Sequence, residues 1–320
     1  MKLRSVLAAL FAIVLTTTAL PAQAAAPKNG YLVFSQQFTT MVTQLPNAAS
    51  YVFLGVGQNP KYSPDGTRVA YFRDEEARPG TDIWVERLYV RTLTTGTETV
   101  VAEFSQDFTD RTLTWAPDGA SIVYAEGRSL YRVVVSTGVR TVVWHSGTLI
   151  AEQPAYAPDG TRIAFVTHLY YENDARSITT VKPDGTGLHT VFAGTAGSNN
   201  EYPDWSPDSK TIAFVTNKYD AARTELVTLP RSGAGAPFRV SHTAHPSSHD
   251  LAGVAWSPNG KKIATLEAYP EYLPGEGPFD ERRVVRAYTP DGASVTQLTN
   301  PIPGDGTGNP PGLDWAPKVS

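Results

Sequence analysis

The residues of this chain that could do chemistry are six histidines and a scatter of carboxylates. His242, His245 and His249 stand together in SHTAHPSSHD, while His145 and His168 lie further upstream. Imidazoles gathered with carboxylates are the donor set for zinc, manganese and similar divalent ions. The His-x2-His-x3-His spacing matches no standard zinc pattern, and Pro246 stiffens it, so the segment also reads as a solvated polar loop. Asp110, Glu152, Glu201 and Asp250 each precede a recurring aromatic–Pro motif by a few residues. Tyr170 and Tyr272 fall in other loops, where aromatic rings beside acids could hold a glycan or a protein partner. Packing of these tyrosines on loop backbone is the plainer alternative.

The elements that must position these groups come from one repeat. An aromatic, Ser or Ala, then Pro and usually Asp-Gly recurs six times, as YSPDG (62–66), WAPDG (115–119), YAPDG (156–160), WSPDS (205–209), WSPNG (256–260) and WAPK (315–318). The aromatics are 53, 41, 49, 51 and 59 residues apart, the size of a four-stranded propeller blade with variable loops. Pro presets the turn, Asp tolerates its second position, and Gly takes the left-handed conformation that closes a hairpin. Apolar runs follow: Val69-Ala70-Tyr71, Ile122-Val123-Tyr124, Ile163-Ala164-Phe165, Ile212-Ala213-Phe214 and Ile263-Ala264-Thr265. Such runs suit strands covered on both faces. Each blade thus reads as strand A ending at the aromatic, then B, C and D. All six tryptophans, Trp84 and Trp144 included, read as core.

The sixth copy stops at Lys318, with no strand B after it. Asn29-Gly30 followed by Leu32-Val33-Phe34 matches the missing half. The fold expected is all-β: a six-bladed propeller over residues 26–320, closed by the C-terminal strand pairing with N-terminal ones. YSPDGTRVAYF, YAPDGTRIAFV and WSPDSKTIAFV resemble the TolB-type, WD-repeat-like propeller family over about 29–318. TolB itself carries an α/β domain ahead of its propeller, for which this sequence leaves no room, so a Tol–Pal role is not implied. Within that family, oligogalacturonate lyases gather histidines from several blades around one metal. No residue-by-residue match to their ligand motifs is visible here.

Lys2 and Arg4, the apolar run Val6–Leu15 and Ala22-Gln23-Ala24 read as a cleaved leader over residues 1–25. The run is short of the roughly 20 apolar residues needed to span a bilayer. An extracytoplasmic chain is expected, secreted or periplasmic. With no cysteine, disulfides, thiolate sites and cysteine nucleophiles are excluded. Without the leader, 25 basic residues face 31 acidic ones and form no basic stripe, so nucleic acid is not an expected partner. There is no G-x-S-x-G elbow, Walker loop or dinucleotide fingerprint.

In a propeller the short A–B turns share one face with the C–D turns. The variable B–C and D–A loops share the other face, at the channel mouth, where function usually sits. Ligand-binding candidates on that face are Glu152, His168, Tyr170, Glu201, Asp250 and Tyr272. The expected role is binding or scaffolding of a protein or glycan, with no cofactor. The alternative is a lyase or hydrolase holding a divalent metal on His145, His242, His245 and His249, with Glu152 or Glu201 as base.

Overall fold

A computed structural model describes residues 29–36, 39–44, 51–78, 80, 83–105, 111–169, 175–221, 223–241, 250–271, 280–299, 302–303 and 312–317. The leader assigned to residues 1–25 lies outside them, as do Asp110, Tyr170, Tyr272, His242, His245 and His249. Among the described residues, no helix is long and apolar enough to cross a membrane.

The chain is an all-β propeller of four-stranded blades. It opens with β1 (Asn29–Gln36), β2 (Thr39–Gln44) and β3 (Tyr51–Val56). Blade 1 follows as β4 (Gln58–Tyr62), β5 (Arg68–Glu76), β6 (Trp84–Thr92) and β7 (Glu98–Ser105). Blade 2 is β8 (Leu113–Trp115), β9 (Ser121–Glu126), β10 (Ser129–Val134) and β11 (Arg140–His145). Blade 3 is β12 (Ile150–Tyr156), β13 (Ile163–His168), β14 (Ser177–Val181) and β15 (His189–Phe192). Blade 4 is β16 (Asn200–Trp205), β17 (Thr211–Thr216), β18 (Glu225–Pro230) and β19 (Phe238–Arg239). Blade 5 holds β20 (Asp250–Trp256), β21 (Ile263–Glu271), β22 (Asp280–Tyr288) and β23 (Val295–Gln297), with β24 (Ile302–Pro303) as a fifth strand on β22. The last strand, β25 (Leu313–Pro317), pairs with β1, giving a sheet in the order β25-β1-β2-β3. Its register, Leu32↔Trp315, matches Ile122↔Trp115 inside blade 2.

Packing follows from the motif. The apolar run of each B strand is buried on both faces, with Val69, Ile122, Ile163, Ile212 and Ile263 all at 0% exposure. The motif aromatic wedges into the preceding blade. Trp115 packs with Phe72, Leu88 and Phe104 of blade 1, and Trp205 with Ile178 and Val191 of blade 3. Each such side chain contributes about 1.5–3 kcal/mol by burial. The indoles are also bonded across the seam: Trp115 Nε1 donates to Lys61 O and Trp205 Nε1 to Ala155 O, both at 3.0 Å.

Trp84 departs from the expected core role and is 45% exposed. The β5–β6 hairpin runs nine residues per strand, against six in β9, β13 and β17, and Trp84, opposite Glu76 of β5, lies one residue beyond the last pair of β6 with β7, Val85↔Ser105.

In four blades a bulge three residues before the motif aromatic shapes the channel. Asn59, Gln153, Tyr202 and Gly253 take positive φ there, and the A–B register shifts beside them. These residues join neighbouring blades. Asn59 Nδ2 donates to Arg111 O at 2.8 Å, Gln153 N to Thr112 Oγ1 at 2.8 Å, and Tyr202 N to Gln153 Oε1 at 2.6 Å. Thr112, Gly312, Lys61 and the bulge residues line one shared pocket.

Candidate functional site

The bulge sets where the candidate carboxylates point. Glu152 and Glu201 stand one residue before the bulge in β12 and β16, the inner strands of blades 3 and 4. His168 ends β13, paired beside the start of β12. Arg176 lies just ahead of β14. Its backbone is fixed by Arg176 N donating to Ser198 O (3.3 Å) and Asn200 Nδ2 donating to Arg176 O (2.6 Å).

These four side chains form one ion-paired cluster. Arg176 Nη1 lies 2.5 Å from Glu152 Oε2 and 3.2 Å from Glu201 Oε1, bridging the two blades. His168 Nε2 lies 3.2 Å from Glu152 Oε1, and His168 Nδ1 lies 2.6 Å from Leu169 O. All four are partly buried, with Glu201 the most enclosed carboxylate at 16% side-chain exposure.

The environments drive the two acids apart. Burial raises the Glu201 carboxyl above the ordinary range, and the neighbouring Glu152 charge adds to that against the pull of Arg176. Burial acts on Glu152 in the same sense, but His168 and Arg176 outweigh it and hold Glu152 low. For His168, burial favours the neutral ring, yet Glu152 prevails and raises its pKa. The cluster therefore offers an ionised carboxylate, a more readily protonated one, a guanidinium and a titratable imidazole on one small patch.

Of the sequence candidates, the structure brings Glu152, His168 and Glu201 together. Arg176, which joins them, lies outside the recurring motif. His145 is held apart: it ends β11, the outer strand of blade 2, is exposed, and has Nδ1 2.9 Å from Ser129 Oγ. Asp250 opens β20 opposite Ala268. Among the described residues no three His, Asp or Glu groups are placed to hold a metal ion. Arg176 takes the position a cation would need between the two glutamates, so this cluster does not fit a metal centre.

No protein-family model and no curated protein matches the chain. Solved structures do. TolB from Acinetobacter baumannii is similar at TM-score 0.63 and 18% identity, over 90% of this chain and 67% of that one. A protein described as putative TolB from Agrobacterium tumefaciens gives 0.57 and 16%, over 91% and 98%. An oligogalacturonate lyase in complex with manganese gives 0.52 and 16%, over 86% and 74%. The fold is that of a TolB-like β-propeller. At these identities the likeness extends to the fold and leaves the activity open.

Proposed function

We propose that the chain is an extracytoplasmic binding module. Its six sheets close into one ring, and it engages a protein or glycan partner at the Glu152–His168–Arg176–Glu201 patch. The observation that carries this reading is the patch itself. Four ionisable side chains from two blades are held in fixed relation on the face of variable loops, without a catalytic motif among them. Paired polar groups of this kind give an interface specificity and steering. The leader-like residues 1–25 support export. Closure is supported by the β25–β1 register and by Asp314 of β25, whose Oδ2 accepts Tyr62 N of blade 1 at 2.7 Å.

The binding reading is tested with Glu201→Gln, a near-isosteric change. Immobilised wild type should retain a discrete protein or glycan from envelope and culture-medium fractions, and the variant should retain it several-fold less. Equal retention by a correctly folded variant would remove the patch from the interface.

Closure is tested at Gly30, where a Cβ would meet Pro317 O at 2.6 Å and Ala316 O at 2.9 Å. Gly30→Ala should force β1 from β25 and cost about 1–3 kcal/mol of unfolding free energy. An unchanged denaturation midpoint would argue against that seam.

A further inference from the structure

We propose that a second site, apart from the charged patch, binds a compact oxyanion, a carboxylate or a phosphate. It is a cavity of about 260 Å³ between the segment linking blades 3 and 4 and the loop after β17. Phe192, Thr195, Gly197, Asn217, Lys218 and Ala221 are among its walls. The volume is just under the range of drug-sized pockets and suits a small ligand.

Three acceptors around the cavity are already engaged: Gly197 O takes Asn217 Nδ2 (2.9 Å), Asn217 Oδ1 takes Asn199 N (2.8 Å), and Thr195 O takes Ser198 N (2.8 Å). Asn200, also on the wall, is bonded at both ends of its amide, to Thr216 Oγ1 and Arg176 O. Two backbone donors on the wall are free. Ala196 and Gly197 occupy the centre of the turn closed by that Ser198–Thr195 bond, and their backbone N–H groups meet no acceptor in the described protein. Gly197 sits at φ 77°, and a Cβ there would meet nothing within 4 Å, so this stretch of backbone faces open space. Successive N–H groups in a turn of this kind form an anion-binding concavity.

Lys218 supplies the charge. Its Nζ lies 4.9 Å from the Phe192 ring centroid, which holds the ammonium at the wall, and no described carboxylate lies within ion-pairing distance of it. Asp220, two residues on, lies 3.9 Å from Arg223 instead. Two backbone donors and an unneutralised ammonium around a small opening are complementary to an oxyanion, which would accept both kinds of bond at once.

Isotope-labelled protein titrated with sodium phosphate, and separately with sodium acetate, at constant ionic strength provides the test. The amide signals of Ala196, Gly197 and Lys218 should move saturably with at least one of the two, and the tighter salt identifies the preferred oxyanion. Lys218→Gln should weaken binding about tenfold, the worth of one charge-assisted bond. Lys218→Arg should retain binding, and Lys210→Gln, on the opposite face, should leave it unchanged. No saturable shift with either salt overturns the site, as does an affinity indifferent to Lys218→Gln in a protein whose spectrum is otherwise native.

Discussion

Replacing Arg176 with Met should destabilise the protein by about 2–3 kcal/mol at neutral pH. The reason is what it leaves behind. Methionine keeps the packing of the arginine stem, but Glu152 and Glu201 then share a half-buried space without the cation that now bridges them. Removing one partner of a fully buried pair costs about 3–5 kcal/mol, and the solvent reaching this cluster reduces that figure. Two controls separate the charge effect from lost packing. Arg176→Met with Glu201→Gln should recover more than half of the loss, because the remaining carboxylate keeps His168. Acid should also narrow the gap. Both carboxylates titrate upward once the arginine is gone, so the variant approaches wild type as pH falls below about 4, where ordinary carboxylates protonate. Chemical denaturation at pH 7 and pH 4 measures both effects. A loss equal at the two pH values would assign the role of Arg176 to packing.

The grouping of Glu152, His168 and Glu201 was legible because all three keep fixed offsets from a motif aromatic. Glu152 and Glu201 stand four residues before Tyr156 and Trp205, and His168 stands twelve after Tyr156. A repeat that defines blades also defines which positions reach the channel mouth. Arg176 has no such offset. It follows a B–C loop that differs in every blade, and nothing in the sequence around it marks a bridge to the next blade. The same variability hid the exposure of Trp84, since the length of the β5–β6 hairpin is not encoded in the motif. His145 stands apart from this cluster for another reason. A D strand is the outermost in its sheet, so a histidine ending it shares a face with the inner-strand carboxylates but stands at the far edge of the blade.

The bulge was unreadable at the level of residue type. Asn59, Gln153, Tyr202 and Gly253 adopt it and share no chemistry, while Thr112 and Gly312 at the equivalent positions lack positive φ. Only asparagine and glycine among them commonly signal positive φ. What holds Gln153 and Tyr202 in that conformation is the neighbouring blade, through the bonds to Thr112 Oγ1 and Gln153 Oε1. A local conformation imposed by a long-range contact leaves no local sequence signal. The residues just before the aromatics behave alike: Thr114, Asp204 and Asp314 accept the backbone N–H of Tyr156, Trp256 and Tyr62 respectively, each in another blade.

Asp204 makes that arrangement costly, and Asp204→Asn should therefore stabilise the protein by about 2–3 kcal/mol above pH 7. Burial raises its carboxyl to about 6, against the attraction of Lys61 and with Asp314 adding to the rise. In the unfolded chain the same group titrates at about 4. The sign follows from proton uptake. Between about pH 4 and pH 6 the folded protein holds the extra proton, so wild-type stability falls as pH rises through that window and then levels off. Holding the proton up to about pH 6 rather than about pH 4 corresponds to about 2.7 kcal/mol. Asparagine keeps an oxygen for the Trp256 N–H, now 2.6 Å from Asp204 Oδ2, and carries no charge at any pH. The variant should consequently match wild type at pH 4 and exceed it at pH 8. Plotting the difference between the two proteins cancels the titration of Asp314 and Lys61 to the extent that they are unaffected by the change. A stability gain independent of pH, or a loss at pH 8, would show that the Asp204 charge is stabilised inside the channel rather than tolerated there.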